Sequence, residues 1–487
     1  MSLILNPRPP VAAVIIPDEA YESWIPSAAE QENLLKIKVK LQAGDGGAPE
    51  ETAKFRFELG GVSRQRGICT NYPLDGDDHY DLTITKEDNP AMTILEPEFF
   101  EGTAGQAAET EEGLREAEVV IRCRDYGAYG VLKVYAHLEN GDVVEAYVAG
   151  RPEQTALAIP LDENGNFIAD QWEKEWNIYD RGYRPNLDED MLPYGQRRHG
   201  DGYTIYEEYR GFMVLPRFGT QIEHRRLSPE WKDLFVYDPD HLIRDYFESP
   251  KAKAGTNPGG LNELDGNYDN PAKLNIHYLN PELMKFNGVA RDPENRWVNF
   301  NSSDPDKMYA KQYALYVVNW PNLDNQGVGE ANPYVLTDLE NGYASTDASW
   351  HEKLKQPLKS IYIVKVCPST VERWTRGVPD RDRVYQIILK STVIHEVGHA
   401  LGIRHHHDRG NETPEAVSSG YFDCAMRYNT DDELKHLKLL KENYIFCDAT
   451  MTWQKPVVER DAEGNPVYTF QELPSHNCFG QIDVKSD

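Results

Sequence analysis

His395-Glu396-Val397-Gly398-His399-Ala400-Leu401-Gly402-Ile403-Arg404-His405, followed by Cys424-Ala425-Met426-Arg427-Tyr428, is the stretch that decides how the second half of this chain is read. Upstream of it Val384, Ile387, Ile388, Ile394 and Leu401 recur at roughly helical spacing, with Asp380 or Asp382 as N-cap, so the spacing predicts a helix whose second half carries the motif. Side chains four apart share a helix face, so His395 and His399 can direct imidazole nitrogens at one ion. Glu396 lies about 100° round the helix, where it can reach a water bound to that ion rather than the ion itself. Gly402 supplies a residue able to take positive φ, which ends the helix and lets the chain turn so that His405 approaches the same point. Three neutral imidazoles with a fourth position open make a catalytic zinc site, because structural zinc is closed by four protein ligands. A bare His-Glu-x-x-His arises by chance in many proteins, and the extension to Gly402 and His405 makes the signal specific. His406 and His407 are expected to flank the site.

With Met426 downstream, the stretch resembles the metzincin clan of zinc endopeptidases, which is defined by this long zinc motif and a methionine turn. The resemblance implies that Met426 forms an apolar floor beneath the ligands. It also implies that Tyr428 matches the tyrosine that astacin-like and serralysin-like members use as a switchable zinc ligand and oxyanion stabiliser. His406 matches neither the Glu of astacins nor the Pro of serralysins at that position, so no subfamily is assigned. The implied activity is zinc-dependent hydrolysis of peptide bonds in protein substrates, with Glu396 as general base. The implied catalytic domain is α+β and spans residues 231–487: a twisted mixed sheet, the active-site helix and a C-terminal helix. Substrate is expected to lie extended along an edge strand of that sheet.

The rest of the chain divides by pattern. Residues 1–30 are rich in Pro and Ala and are expected to form an arm or edge segment. Two-residue alternation then marks strands at 35–41, 54–59, 80–84, 117–123 and 130–136, with a hairpin signal at Glu139-Asn140-Gly141-Asp142, which predicts an all-β sandwich of immunoglobulin type over residues 31–155. Residues 156–230 are a Gly, Asp and Pro-rich connector with two weak calcium-like loops and a short helix near Tyr206–Phe212. In the first loop Asp162, Asn164, Asn166, Asp170 and Glu173 place oxygens at spacings that suit calcium, although Phe167 stands where a turn wants Gly. In the second, around Asp201 and Glu208, Arg197 and His199 stand where carboxylates belong. Beyond residue 231, strands are predicted at 234–237, 274–279, 297–300, 313–318 and 361–366. Thr430-Asp431-Asp432-Glu433 is a capping box opening a helix through Leu434, Leu437 and Leu440, and a hairpin is predicted at 456–458 and 467–470.

Composition sets the outer bounds. The 80 acidic against 51 basic residues give a formal charge of -29, which disfavours nucleic acid and anionic lipid surfaces as partners. No apolar run is long enough to span a membrane, and the first residues lack the pattern of a signal peptide. The expectation is a protein secreted or exported by a route without a visible N-terminal signal. The 6 cysteines are too few for a disulfide scaffold and have no Cys-x-x-Cys spacing; Cys447 with Cys478 is a candidate pair. The competing functional class is an adhesion or substrate-binding protein with a vestigial metal site, and the intact set of His395, Glu396, His399 and His405 argues against it.

Overall fold

The computed structural model describes residues 11–30, 33–44, 49–76, 79–95, 105–190, 200–216, 220–242, 274–286, 296–302, 314–319, 329–332, 363–401, 424, 426, 452–460, 462, 466–474 and 478. The N-terminal part is a two-layer β domain. Its strands are β1 (Val11–Pro17), β2 (Leu34–Ala43), β3 (Ala53–Gly60), β4 (Leu82–Thr83), β5 (Thr93–Leu95), β6 (Gly105–Glu109), β7 (Glu116–Cys123), β8 (Gly130–Leu138), β9 (Val143–Glu145), β10 (Tyr147–Val148) and β11 (Leu157–Ile159). One sheet runs β10-β1-β2-β7-β4 and the other β11-β8-β3-β6-β5, with β9 beside β8. Alternation builds both layers. In β2 the side chains of Leu35, Ile37, Val39 and Leu41 are buried while Lys36, Lys38 and Lys40 face out. Phe55, Phe57 and Leu59 of β3 and Leu132, Val134 and Ala136 of β8 meet them from the opposite sheet in one apolar core. Each large side chain so buried contributes about 1.5–3 kcal/mol. The outer face is held by charge, as where Lys38 sits opposite Glu118 at 3.6 Å.

The sequence reading is corrected at both ends of this domain. β1 is no arm: it is an inner strand, antiparallel to β2 and parallel to β10. Its Ala13 and Ile15 are fully buried, and burial of those residues is what draws the segment into the sheet. At the other end, β11 pairs with β8, so the domain closes at 159 and not at 155. The hairpin at Glu139–Asp142 is where it was predicted, and β9 leaves it paired to β8. The chain then changes sheets at Ala146, because β10 joins β1.

Residues 156–230 are not a loose linker. Helices α1 (Asp170–Glu175) and α2 (Ile205–Arg210) share a core of Ile168, Trp172, Ile178, Ile205 and Tyr209. α2 starts at a capping box in which Thr204 accepts from the Glu207 N–H and the Glu207 carboxylate accepts from the Thr204 N–H at 2.9 Å. The hairpin β12 (Phe212–Val214) and β13 (Glu223–Arg225) follows. Arg210, the last residue of α2, is 1% exposed and ties three parts of the chain together. Its Nε donates to Asp125 Oδ1 and Oδ2 at 3.1 and 2.9 Å, and its terminal nitrogens donate to the carbonyls of Asn301 at 2.8 Å and Arg66 at 2.7 Å. Gly127 is required here, since a Cβ would stand 2.9 Å from Arg210 Cγ.

Beyond the junction the strands are β14 (Asp233–Tyr237), β15 (Asn275–Leu279), β16 (Lys285–Phe286), β17 (Arg296–Trp297), β18 (Leu315–Asn319), β19 (Gly329–Asn332) and β20 (Ile363–Val366). Among the described residues they make a mixed sheet in the order β15-β14-β18-β20-β19, with β16 and β17 as a separate pair. β15, β14, β18 and β20 are mutually parallel, and β19 is an antiparallel strand at the edge. Helices α3 (Pro368–Trp374) and α4 (Arg381–Ala400) follow, and α4 packs across β19 and β20. Leu389, Val393, Ile394, Val397 and Ala400 of α4, with Leu401 just beyond it, enter a core with Leu234 and Val236 of β14 and Leu315 and Val317 of β18. A long hairpin, β21 (Thr452–Arg460) with β22 (Pro466–Pro474), lies where a shorter one was predicted. The predicted helix after Thr430 lies outside the described residues. No helix among them is long and apolar enough to cross a membrane.

Candidate functional site

The candidate site is built on α4. His395 and His399 both fall inside this 20-residue helix, four positions apart. Asp380 precedes it with φ 54°, its carbonyl accepting from the Val384 N–H at 3.1 Å, while Asp382 lies in the first turn near the positive end of the helix dipole. At about 100° per residue, His395 and His399 fall on the side of α4 away from the apolar stripe centred on Val393 and Val397. His395 is nonetheless only 7% exposed, so that face too is covered by protein. Glu396 lies between the two faces and is half-buried.

Met426 is fully buried and belongs to the same core as Ile394, Val397, Ala400 and Leu401. Among the described residues, His395, Glu396 and the backbone of His399 thus lie together on α4, while Met426 lies in the core that the apolar side of that helix enters. Gly402, His405 and Tyr428 lie outside the described residues, as do His406 and His407. Cys424, also buried in this core, has its sulfur 3.6 Å from that of Cys478. Cys447, the partner considered for Cys478, lies outside the described residues. Cys69 and Cys123 are separate buried thiols, and burial pushes Cys69 up to about 11.

The first calcium-like loop also converges, but through hydrogen bonds. Asp162 accepts from the backbone N–H of Gly165 at 2.7 Å and of Phe167 at 2.8 Å. Glu173 accepts from the side-chain amides of Asn164 and Asn166, each at 2.8 Å, and Asp170 accepts from the Glu163 N–H at 3.1 Å. Phe167 does adopt the left-handed turn that Gly would favour, with φ 69°, and its ring rests on Tyr129 with centroids 4.5 Å apart. The carboxylates are thus already served by N–H donors. Asp201 and Glu208, from the second loop, instead meet acids that local register does not connect to them: Asp188, Asp190 and Asp233.

No family model matches this chain. No curated protein sequence matches it either. Among solved structures it is similar to an uncharacterized Nocardia farcinica protein with an immunoglobulin-like fold, at 11% identity over 30% of this chain and 97% of that one, with a TM-score of 0.19. It is also similar to the adhesin InvE of Yersinia pseudotuberculosis, at 14% identity over 30% of this chain and 35% of that one, with a TM-score of 0.15.

Proposed function

We propose that this protein is a zinc-dependent endopeptidase of metzincin type, carrying an immunoglobulin-like module on its N-terminal side. The observation that supports the reading most is the placement of His395 and His399 one turn apart on α4, with His395 buried and Met426 in the core that the helix helps to form. The donor set fits zinc: imidazole nitrogens on one helix face, with a third, His405, three residues beyond the motif glycine Gly402. Zinc bound by His395, His399 and His405 would supply Lewis acidity to the attacking water and the scissile carbonyl.

The chain's own residues do the remaining work. Glu396 accepts the proton of the attacking water and returns it to the leaving amine, a role that its position beside the His395–His399 face allows. The Tyr428 hydroxyl donates a hydrogen bond to the oxyanion as it develops. Met426 gives the ligands a rigid apolar floor. β19 holds the substrate: it pairs with β20 on one side, and among the described residues no strand pairs with its other side. An extended peptide adds there by backbone pairing, which fixes direction without demanding a sequence.

The test is digestion of casein or a peptide library by wild type and Glu396→Gln, with metal content measured on both. The variant is expected to keep its zinc and lose at least about 100-fold in kcat/KM. A wild-type protein that binds no zinc, or a variant that cleaves as fast, would overturn the reading and favour a binding protein with a vestigial site.

A further inference from the structure

Where the connector meets the mixed sheet, Asp190 is 1% exposed and Asp201, Glu208 and Asp233 are no more than 1% exposed. The ligand oxygens of Asp188, Asp190 and Asp201 lie within 4.8 Å of one another, and so do those of Asp201, Glu208 and Asp233, so Asp201 joins the two groups. Much of this cluster is fixed by backbone donors. Asp188 accepts from the N–H groups of Asp201 at 2.8 Å and Gly202 at 3.0 Å, and Asp201 accepts from those of Tyr203 at 3.0 Å and Asp233 at 2.6 Å. Gly200 makes room for it: with φ +77° it takes a left-handed turn, and a Cβ there would stand 1.8 Å from Asp188 Oδ1. His277 Nε2 lies 2.5 Å from Asp233 Oδ1 and orients that carboxylate.

Asp190 is different. Neither of its buried oxygens accepts from an N–H group; the polar side chain that reaches it is the carboxyl of Glu208, whose Oε1 also lacks an N–H donor. A carboxylate buried without a donor costs several kcal/mol unless it is protonated or meets a cation. Burial and the neighbouring carboxylates Asp201, Asp233 and Asp188 push Asp190 well above the usual carboxylate range, and burial with Asp190 and Asp201 does the same to Glu208.

We propose that Asp190, Asp201, Glu208 and Asp233 form a binding site for one calcium ion. The chemistry selects a hard cation, since the ligands are oxygen and predominantly anionic; the oxygens of Asp201, Glu208 and Asp233, within 4.8 Å of one another, can meet an ion at the 2.3–2.6 Å typical of calcium, that is about 5 Å across, and Asp190 adjoins them through the trio it forms with Asp188 and Asp201. The ion would clamp points that lie apart along the chain: Asp190, Asp201, helix α2 through Glu208, and the first residue of β14 through Asp233. This locks the junction onto the sheet that carries the candidate peptidase site, and it does not depend on whether that site cleaves peptides.

The experiment uses the full chain, stripped with a chelating resin and resupplied with one equivalent of zinc, and reads calcium binding by calorimetry and by the thermal midpoint. Wild type is expected to bind one calcium ion and, at calcium about 100-fold above Kd, to melt on the order of 5 °C higher. Asp190→Asn keeps the shape and removes one repelling charge, so without calcium it should melt no lower than wild type while its calcium affinity falls at least about tenfold. Glu208→Gln should behave alike, and Asp162→Asn, in the loop already served by N–H donors, should leave calcium binding unchanged. The proposal is overturned if wild type shows no calcium response, if the response survives in both Asp190→Asn and Glu208→Gln, or if it follows Asp162 instead.

Discussion

The interior of the N-terminal β domain and the interior of the junction are equally dry and chemically opposite. Ile37, Val39, Phe55 and Phe57 are fully buried hydrocarbon. In the junction Asp125, Asp201, Glu207, Arg210 and Asp233 are each no more than 3% exposed. An apolar interior tolerates modest changes of shape, because dispersion and burial are non-directional and the loss scales with the area removed. A charged interior depends on named partners, and removing one leaves the other stranded at a cost larger than the pair was worth. Hydrocarbon thus supplies stability to the β domain, while the polar junction fixes how the two halves of the chain are joined.

The comparison is easiest to break at Arg210. Arg210→Met keeps the bulk and leaves Asp125 buried without its guanidinium, so urea denaturation should report a loss of about 3–5 kcal/mol. A loss below about 1 kcal/mol would mean that the junction interior behaves like the β core. The double variant with Asp125→Asn should recover part of the loss, since it removes the stranded charge.

Asp81 sharpens the contrast through pH. Burial and the nearby Asp125 push its carboxyl up to about 7 from 3.8, although the Gln65 N–H donates to it at 2.9 Å. A carboxyl whose folded pKa is raised contributes stability below about pH 3.8, which is lost progressively as pH rises to about 7. Asp81→Asn should remove that slope and raise stability at pH 8 by about 2–4 kcal/mol relative to wild type, with a smaller gain at pH 5. A denaturation midpoint with the same pH profile in both proteins would refute this.

The smallest effect belongs to the apolar side. Ile37→Val deletes one buried methylene and should cost about 0.5–1.5 kcal/mol with no change in the pH profile. A pH-dependent loss there would show that the two interiors are coupled.

Much of the candidate site was legible because it is local. Four-residue spacing puts His395 and His399 on one face of any helix, and the helix followed from Val384, Ile394 and Leu401. The resemblance assigns Met426 to a floor beneath the ligands; what the structure shows is its burial in the core that the apolar side of α4 enters, a contact that spacing does not encode. The edge strand Gly329–Asn332 escaped the sequence reading, since four residues reading Gly-Glu-Ala-Asn carry no alternating apolar signal. The second acidic loop was judged by local register and discounted, because Arg197 and His199 stand at its ligand positions; the acids that Asp201 meets, Asp190 and Asp233 among them, lie outside that register.

By itself the sequence determined the features set by periods of two and of 3.6 residues: the alternating strands from Leu35 to Ala136, the hairpin at Asn140-Gly141, and the histidine face of the helix. Local backbone geometry imposes those periods wherever the chain lies. Only the tertiary structure decided that β1 enters the sheet, that Arg210 knots three segments together, that Cys424 faces Cys478, and that acids 190, 201, 208 and 233 converge. Those contacts join residues far apart along the chain, and what selects them is the burial and charge of the assembled interior, which no local pattern encodes.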